Sequence, residues 1–130
     1  MLPHFEIGEL AHFACCHDFE DDLAAICHEH ELGVTPYFAL ASGFLTGKYT
    51  TYADIAGTAR EPFLGDYFDA RGMAILEALD EVAHAHDTTP AAVSLAWLMA
   101  RPAVTAPIVS ATSNKQLDQL IAATTLKLDD

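Results

Sequence analysis

Positive charge is what this chain has least of: six Lys plus Arg stand against nineteen Asp plus Glu, a formal net charge of −13. Such a polyanion repels nucleic acid and anionic membrane surfaces, so neither is expected as a partner, and an anionic ligand is held only where local groups overcome the field. Long apolar runs are missing too. No stretch nears the ~20 residues of a membrane-spanning helix, and Met1-Leu2-Pro3-His4-Phe5-Glu6 has neither the basic start nor the apolar stretch of a signal peptide. The expected location is therefore cytoplasmic. Cysteine is scarce and odd in number, with Cys15, Cys16 and Cys27. Adjacent cysteines are poorly placed to bridge each other, so free thiols in a reducing compartment are expected.

What is present is apolar material in periodic segments, 52% of the chain, enough for a core and without the composition of a disordered chain. Over residues 18–30, Phe19, Leu23, Ile26 and Cys27 recur at helical spacing, with Asp18 as N-cap and Gly33 just beyond the end. Val34-Thr35-Pro36-Tyr37-Phe38 is short, β-branched and aromatic, the pattern of a strand, although Pro36 forfeits a ladder donor. A long loop over about 39–70, punctuated by Gly43, Gly47, Gly57, Pro62 and Gly65, exceeds ordinary connections and points to ligand binding.

Ile75, Leu76, Leu79, Val82 and Ala83 then share one helical face, and Thr89-Pro90 opens a second helix lined by Val93, Ala96, Trp97 and Ala100 and closed by Pro102. Residues 104–109 have strand character, and Ser113 is placed to cap a last helix whose Leu117, Leu120 and Ile121 are expected to face inward. Strands separated by helices imply parallel pairing through right-handed crossovers, an α/β fold, with residues 2–7 as one possible earlier strand.

Metal chemistry has one candidate region: His12, Cys15, Cys16, His17 and then Cys27-His28-Glu29-His30 combine imidazole and thiolate, which suit zinc. The spacing fits no closed four-ligand pattern. On a helix Cys27 falls with Phe19 and Leu23 while His28 turns away, the pattern of a buried thiol beside surface histidines, and no metal site is expected. The acidic run Glu20-Asp21-Asp22 sits in a first helical turn, where the helix dipole favours carboxylates.

Two segments point to a ligand. In Pro36-Tyr37-Phe38-Ala39-Leu40-Ala41-Ser42-Gly43-Phe44-Leu45-Thr46-Gly47-Lys48-Tyr49 a strand runs into small residues that let backbone amides approach a phosphate. In Pro107-Ile108-Val109-Ser110-Ala111-Thr112-Ser113-Asn114-Lys115-Gln116-Leu117 a strand runs into a helix N-terminus, which offers unpaired amides and a favourable dipole to an anion. The first resembles the seventh strand and following loop of the aldo-keto reductases. The second is similar to that family's eighth strand and cofactor-holding helix N-terminus, and residues 91–98 to its preceding helix.

The resemblance covers residues 32–130 best and residues 1–17 least. It implies that residues 1–130 form the C-terminal part of a TIM-type (β/α)₈ barrel, about three βα units with parallel strands, since a whole barrel needs roughly 250 residues. It implies binding of NADP or NAD, with Tyr37 stacking on the nicotinamide, Leu40, Ala41, Gly43 and Lys48 along the pyrophosphate, and Ser110, Thr112, Ser113, Gln116 and Gln119 at the adenosine end. Related sequences often carry arginine where this chain has Thr112, and arginine would pair with a 2′-phosphate where threonine offers a neutral hydroxyl. The family transfers hydride to a carbonyl with a tyrosine acid assisted by lysine, aspartate and histidine from the first part of the barrel, and none of those motifs is present. The expectation is thus an oxidoreductase piece that is inactive alone, with residual cofactor binding, and that self-associates or binds a complementary half-barrel. The alternatives are a degenerate, non-catalytic scaffold or interaction module, or one half of a split barrel.

Overall fold

The computed structural model of the chain describes residues 23–128. The proposed early strand at 2–7, the first part of the 18–30 helix and the His12 to His17 cluster lie outside them.

Among the described residues five α-helices follow in order: α1 (Ala24–Glu29), α2 (Glu61–Leu64), α3 (Ala70–Ala85), α4 (Pro90–Met99) and α5 (Asn114–Ala122). Each of the last three begins where a capping side chain sits. Asp69 accepts the Gly72 N–H at 2.7 Å, Thr89 accepts the Ala92 N–H at 3.3 Å with Pro90 at the first helical position, and Ser113 accepts the Gln116 N–H at 3.3 Å. Helix α4 is buried on nearly all sides, from Ala91 to Ala96 and at Leu98, so it runs through the interior rather than over it. Its one buried polar side chain, Ser94, is satisfied by donating to the Pro90 carbonyl at 2.9 Å.

The core gathers Phe44, Leu45, Ile55 and Leu64, all fully buried, against Leu76, Leu79 and Ala83 of α3 and Val93 of α4. Half of this set comes from the 39–70 segment. That segment folds into a 3₁₀ turn (Ala41–Thr46), a short turn (Tyr52–Asp54), α2 and a further turn (Gly65–Tyr67), so it is a built layer and not an open loop. A second cluster joins Ala39, Ala92, Leu95, Leu98 and Ala123, and a third pairs Cys27 with Val34. Cys27 is buried while His28 and His30 are exposed, as the helical register implied.

The expected α/β architecture, a partial (β/α)₈ barrel of about three parallel βα units, is not what the chain forms. Among the described residues there is no β-strand; the two candidate strand segments meet at a single parallel bridge between Val34 and Val104. The reason is visible in the donors. Val34 N–H donates to the Ala103 carbonyl at 3.1 Å and Thr105 N–H to the Val34 carbonyl at 2.9 Å, one complete parallel rung. The next rung would need the N–H groups of residues 36 and 107, and both are proline. Ile108 N–H, one residue late, reaches the Pro36 carbonyl at 2.9 Å, and pairing stops there. Helix α5 also departs from expectation: Leu120 packs against the second cluster, but Leu117 and Ile121 remain 48% and 57% exposed instead of facing inward.

Candidate functional site

The two extended segments lie side by side, and the chain that leaves each of them forms one wall of a groove of about 680 Å³. The first wall carries Tyr37, Leu40, Ser42, Gly43, Lys48 and Arg60, and the second Ile108, Ser110, Thr112, Gln116 and Gln119; Thr89 and Pro90 close the floor. Eight of the ten residues singled out in the sequence meet there, although some 70 positions separate the two walls. Ala41 lies beneath the surface with no exposure, in the core beside Phe44. Ser113 spends its hydroxyl on the α5 cap and does not line the groove.

The first wall is strained and tightly held. Ala41, Ser42 and Gly43 follow one another with φ of 47°, 56° and 100°, and left-handed backbone costs a non-glycine residue roughly 1–2 kcal/mol. It persists because the next two residues, Phe44 and Leu45, are fully buried, each worth about 1.5–3 kcal/mol, and because Phe44 stacks on Tyr67 at 5.3 Å and meets Phe68 edge-on at 5.2 Å. The Thr46 hydroxyl donates to the Gly43 carbonyl at 2.7 Å and closes the turn, from which Lys48 projects with its Nζ 4.6 Å from the Tyr49 ring centroid. Non-glycine residues forced into this region cluster at ligand sites.

Arg60 is the groove residue that the sequence did not disclose. It arrives from the far end of the 47–60 excursion, and its Nη1 donates to the Ser42 carbonyl at 3.2 Å. Carboxylates fold the excursion back. Asp54 Oδ2 accepts the N–H groups of Thr50 and Thr51, each at 2.8 Å, and these bonds hold its carboxyl below the usual range. Glu61 accepts the Tyr52 hydroxyl on one oxygen and the Gly57 N–H at 2.7 Å on the other, which lowers its pKa, while the same Tyr52–Glu61 bond pushes the Tyr52 phenol up. Buried Ile55 and Leu64 pin the excursion at either side. A pair of buried aliphatics about ten residues apart inside a glycine-rich stretch was the signal available in sequence.

The second wall is built differently. Thr112 donates both its N–H and its hydroxyl to Gln116 Oε1, at 2.8 and 2.9 Å. No side chain of α5 is fully buried, so this wall rests on local bonds.

The charge of the groove runs against that of the chain. Lys48 and Arg60 line it and, among the described residues, no Asp or Glu does, while the whole sequence carries −13. Hydroxyls, an amide-rich helix start, two cations and exposed aromatic surface at Tyr37 and Phe38, whose rings meet edge-on at 5.0 Å, form a donor set for a phosphate-bearing ligand with a flat ring. Among the described residues no group of three or more His, Cys, Asp or Glu is placed to hold a metal ion, and no helix is long and apolar enough to cross a membrane.

The sequence of this site has relatives. The family model of the aldo/keto reductases matches residues 10–130. The chain belongs to the aldo/keto reductase family. A soybean (Glycine max) protein named probable aldo-keto reductase 1 is 31% identical over 116 residues, 87% of this chain and 33% of that protein. An uncharacterized oxidoreductase of Mycobacterium tuberculosis is 34% identical over 124 residues, 94% of this chain and 38% of its own length. A Schizosaccharomyces pombe aldo-keto reductase whose name specifies NADP(+) is 30% identical over 107 residues, 80% of this chain and 32% of that protein. The chain therefore spans about a third of the length of these aldo/keto reductase relatives.

Proposed function

We propose that the groove is the dinucleotide-holding surface of an aldo-keto reductase-like oxidoreductase and binds NADP or NAD. The observation that carries this is a lining that holds Lys48 and Arg60 and, among the described residues, no carboxylate, in a chain of net charge −13, because such a reversal of local charge is what an anionic ligand requires. Tyr37, 56% exposed at the mouth, offers its face to the nicotinamide ring. Leu40 and Gly43 border the pyrophosphate, Lys48 and Arg60 neutralise it, and Ala41 acts from below by fixing the turn. Ser110, Thr112, Gln116 and Gln119 take the adenosine end, with Ser113 holding the helix start in place. The bound nicotinamide supplies the hydride that the family exchanges with carbonyls and alcohols.

No proton donor for that chemistry is assigned to this groove, since Tyr37, the tyrosine that lines it, is given to the nicotinamide ring. Tyr52 is not among the lining residues, and Glu61 holds its phenol above the ordinary range. The chain alone thus binds cofactor without turning over a carbonyl, and the exposed Tyr37, Phe38, Ile108 and Val109 form the face on which a second copy or a complementary chain completes the site. Titration of NADPH fluorescence against the chain tests the cofactor role: binding weakened about tenfold or more by Lys48→Ala or Arg60→Ala is expected, whereas no saturable binding, or binding indifferent to both substitutions, overturns it.

A further inference from the structure

A second concavity, a cleft of about 530 Å³, lies between helix α3 and the segment that follows the strained turn. Gly47, Tyr49, Thr50 and Pro90 form one side of it. Lys48, between Gly47 and Tyr49, lines the groove instead, so this segment divides the two concavities and sends its cation to the other one. The Tyr49 ring rests on the first core cluster, and the Thr50 N–H and hydroxyl are both held by Asp54, so this side of the cleft is firmly built.

From α3 the lining takes Ala70, Met73, Ala74, Glu77 and Asp80, with Leu76 at the base. The first five stand at i, i+3, i+4, i+7 and i+10, one stripe of a helix about 15 Å long at 1.5 Å per residue. All five are exposed, while the face turned to the core buries Leu76, Leu79 and Ala83. The stripe is apolar over its first turn and acidic beyond it, and exposed Glu81 continues its acidic end. Among the described residues no Lys or Arg lines the cleft, Glu77 has no ion-pair partner, and Asp80 has the His84 imidazole at 3.7 Å.

A helix stripe that begins with small residues and an adaptable methionine and ends in carboxylates has the form that receives an amphipathic helix in a groove. Charge decides which helix. A second copy of this chain would bring another −13 to an acidic rim and be repelled, whereas a basic segment would meet Glu77 and Asp80 unopposed by any lining cation. We infer that the cleft docks a cationic amphipathic helix of another protein, its apolar residues over Ala70, Met73 and Ala74 and its lysines or arginines on Glu77 and Asp80. The site is independent of whatever fills the groove.

The probe is a fluorescein-labelled helical peptide of about 15 residues, four turns, with leucines spaced i, i+3 and i+4 and lysines one and two turns beyond them. It is titrated with the full chain at roughly physiological ionic strength and read by anisotropy, beside a peptide in which glutamates replace the lysines. Saturable binding of the lysine peptide, about tenfold or more tighter than that of the glutamate peptide, is expected. Glu77→Lys should weaken it about tenfold, and Ala74→Gln, a good helix former at an exposed position, should weaken it by crowding the stripe. Asp118→Lys changes the net charge equally but lies on α5, outside both linings, and should leave binding nearly unchanged; circular dichroism verifies that each variant folds. Absence of saturable binding, or indifference to both Glu77→Lys and Ala74→Gln, overturns the inference. Equal weakening by Glu77→Lys and Asp118→Lys overturns it in favour of attraction to the polyanion as a whole. A dimer in sedimentation that Ala74→Gln dissociates overturns it in favour of a second copy.

Discussion

The two walls of the groove reach the same ligand surface by opposite means. The first, from Ala39 to Lys48, carries consecutive left-handed residues that the local sequence disfavours, and it holds them by burying Ala39, Ala41, Phe44 and Leu45 at 2% exposure or less. The second, from Thr105 to Gln119, has favourable local geometry but little beneath it: past the Val34–Val104 bridge it is tied to the first by the Ile108–Pro36 bond, and α5 buries none of its side chains fully. A site shaped by strain must be paid for by packing, whereas a site shaped by caps can be adjusted cheaply. The first wall is the preorganised one.

Substitution should therefore cost far more on the first wall. Phe44→Ala is expected to destabilise the chain by about 3–5 kcal/mol, read as a lower denaturant midpoint, while Leu117→Ala on α5, already 48% exposed, should cost well under about 1 kcal/mol. Equal losses would end the contrast between the walls. Gly72→Ala probes the support behind the first wall: a Cβ there would lie 1.8 Å from the Tyr67 carbonyl and 3.2 Å from Phe44 Cζ, and since backbone must move, a loss of about 3 kcal/mol is expected. A neutral result would mean that α3 can slide without disturbing Phe44.

Gly43→Ala isolates strain from packing. Its Cβ would meet only Lys48 Cε at 3.8 Å, an ordinary contact, but at φ of 100°, so the expected loss of about 1–2 kcal/mol is conformational and should be accompanied by weaker NADPH binding. Ser113→Ala is the matching test of the second wall. Loss of the α5 cap should cost about 1 kcal/mol, and hydrogen exchange should quicken at Gln116 and Leu117 while protection of Leu95 and Leu98 stays as it was.

The smallest effect is one of pH. The carboxyls of Asp54 and Glu61 are both lowered from ordinary values of 3.8 and 4.5, by backbone bonds from Thr51 and Thr50 in the first case and by the Tyr52 hydroxyl in the second. A group whose folded pKa is depressed stabilises fully above its ordinary value and loses that contribution as pH falls through the folded one. Acid below about pH 4 should thus release the 50–61 excursion before it touches the core. Tyr52, raised above 10.0 by the same bond to Glu61, gives the mirror image, with its contribution lost only as pH rises beyond the ordinary tyrosine range. Amide shifts of Thr51 and Gly57 moving with acid in Asp54→Asn and Glu61→Gln as they do in the unaltered chain would refute these assignments.

The residues of the groove were named from a family resemblance that two contiguous motifs carry, and eight of the ten line one groove. The run from Tyr37 to Lys48 and the run from Ser110 to Gln119 are each contiguous in sequence, so the resemblance could name their residues before their neighbours were known. The strands were not legible in that way, because strand character is a property of two partners. β-branched Val34 and Val104 favour extension, but a ladder needs donors on both sides, and Pro36 with Pro107 removes both donors of one rung. Pro36 was visible as a weakness; that Pro107 stands opposite it required the register.

The sequence by itself determined the helix starts at Thr89 and Ser113, the apolar face of α3, the buried state of Cys27 and the family to which the chain belongs, since each rests on neighbours within a turn or on a contiguous motif. Only the tertiary structure decided that Arg60 reaches Ser42, that Ala41 lies under the groove rather than in it, that Leu117 and Ile121 stay exposed, and that pairing ends after one rung. These depend on which distant backbone groups come within about 3 Å, and hydrogen bonding and close packing act over that range whatever the separation along the chain.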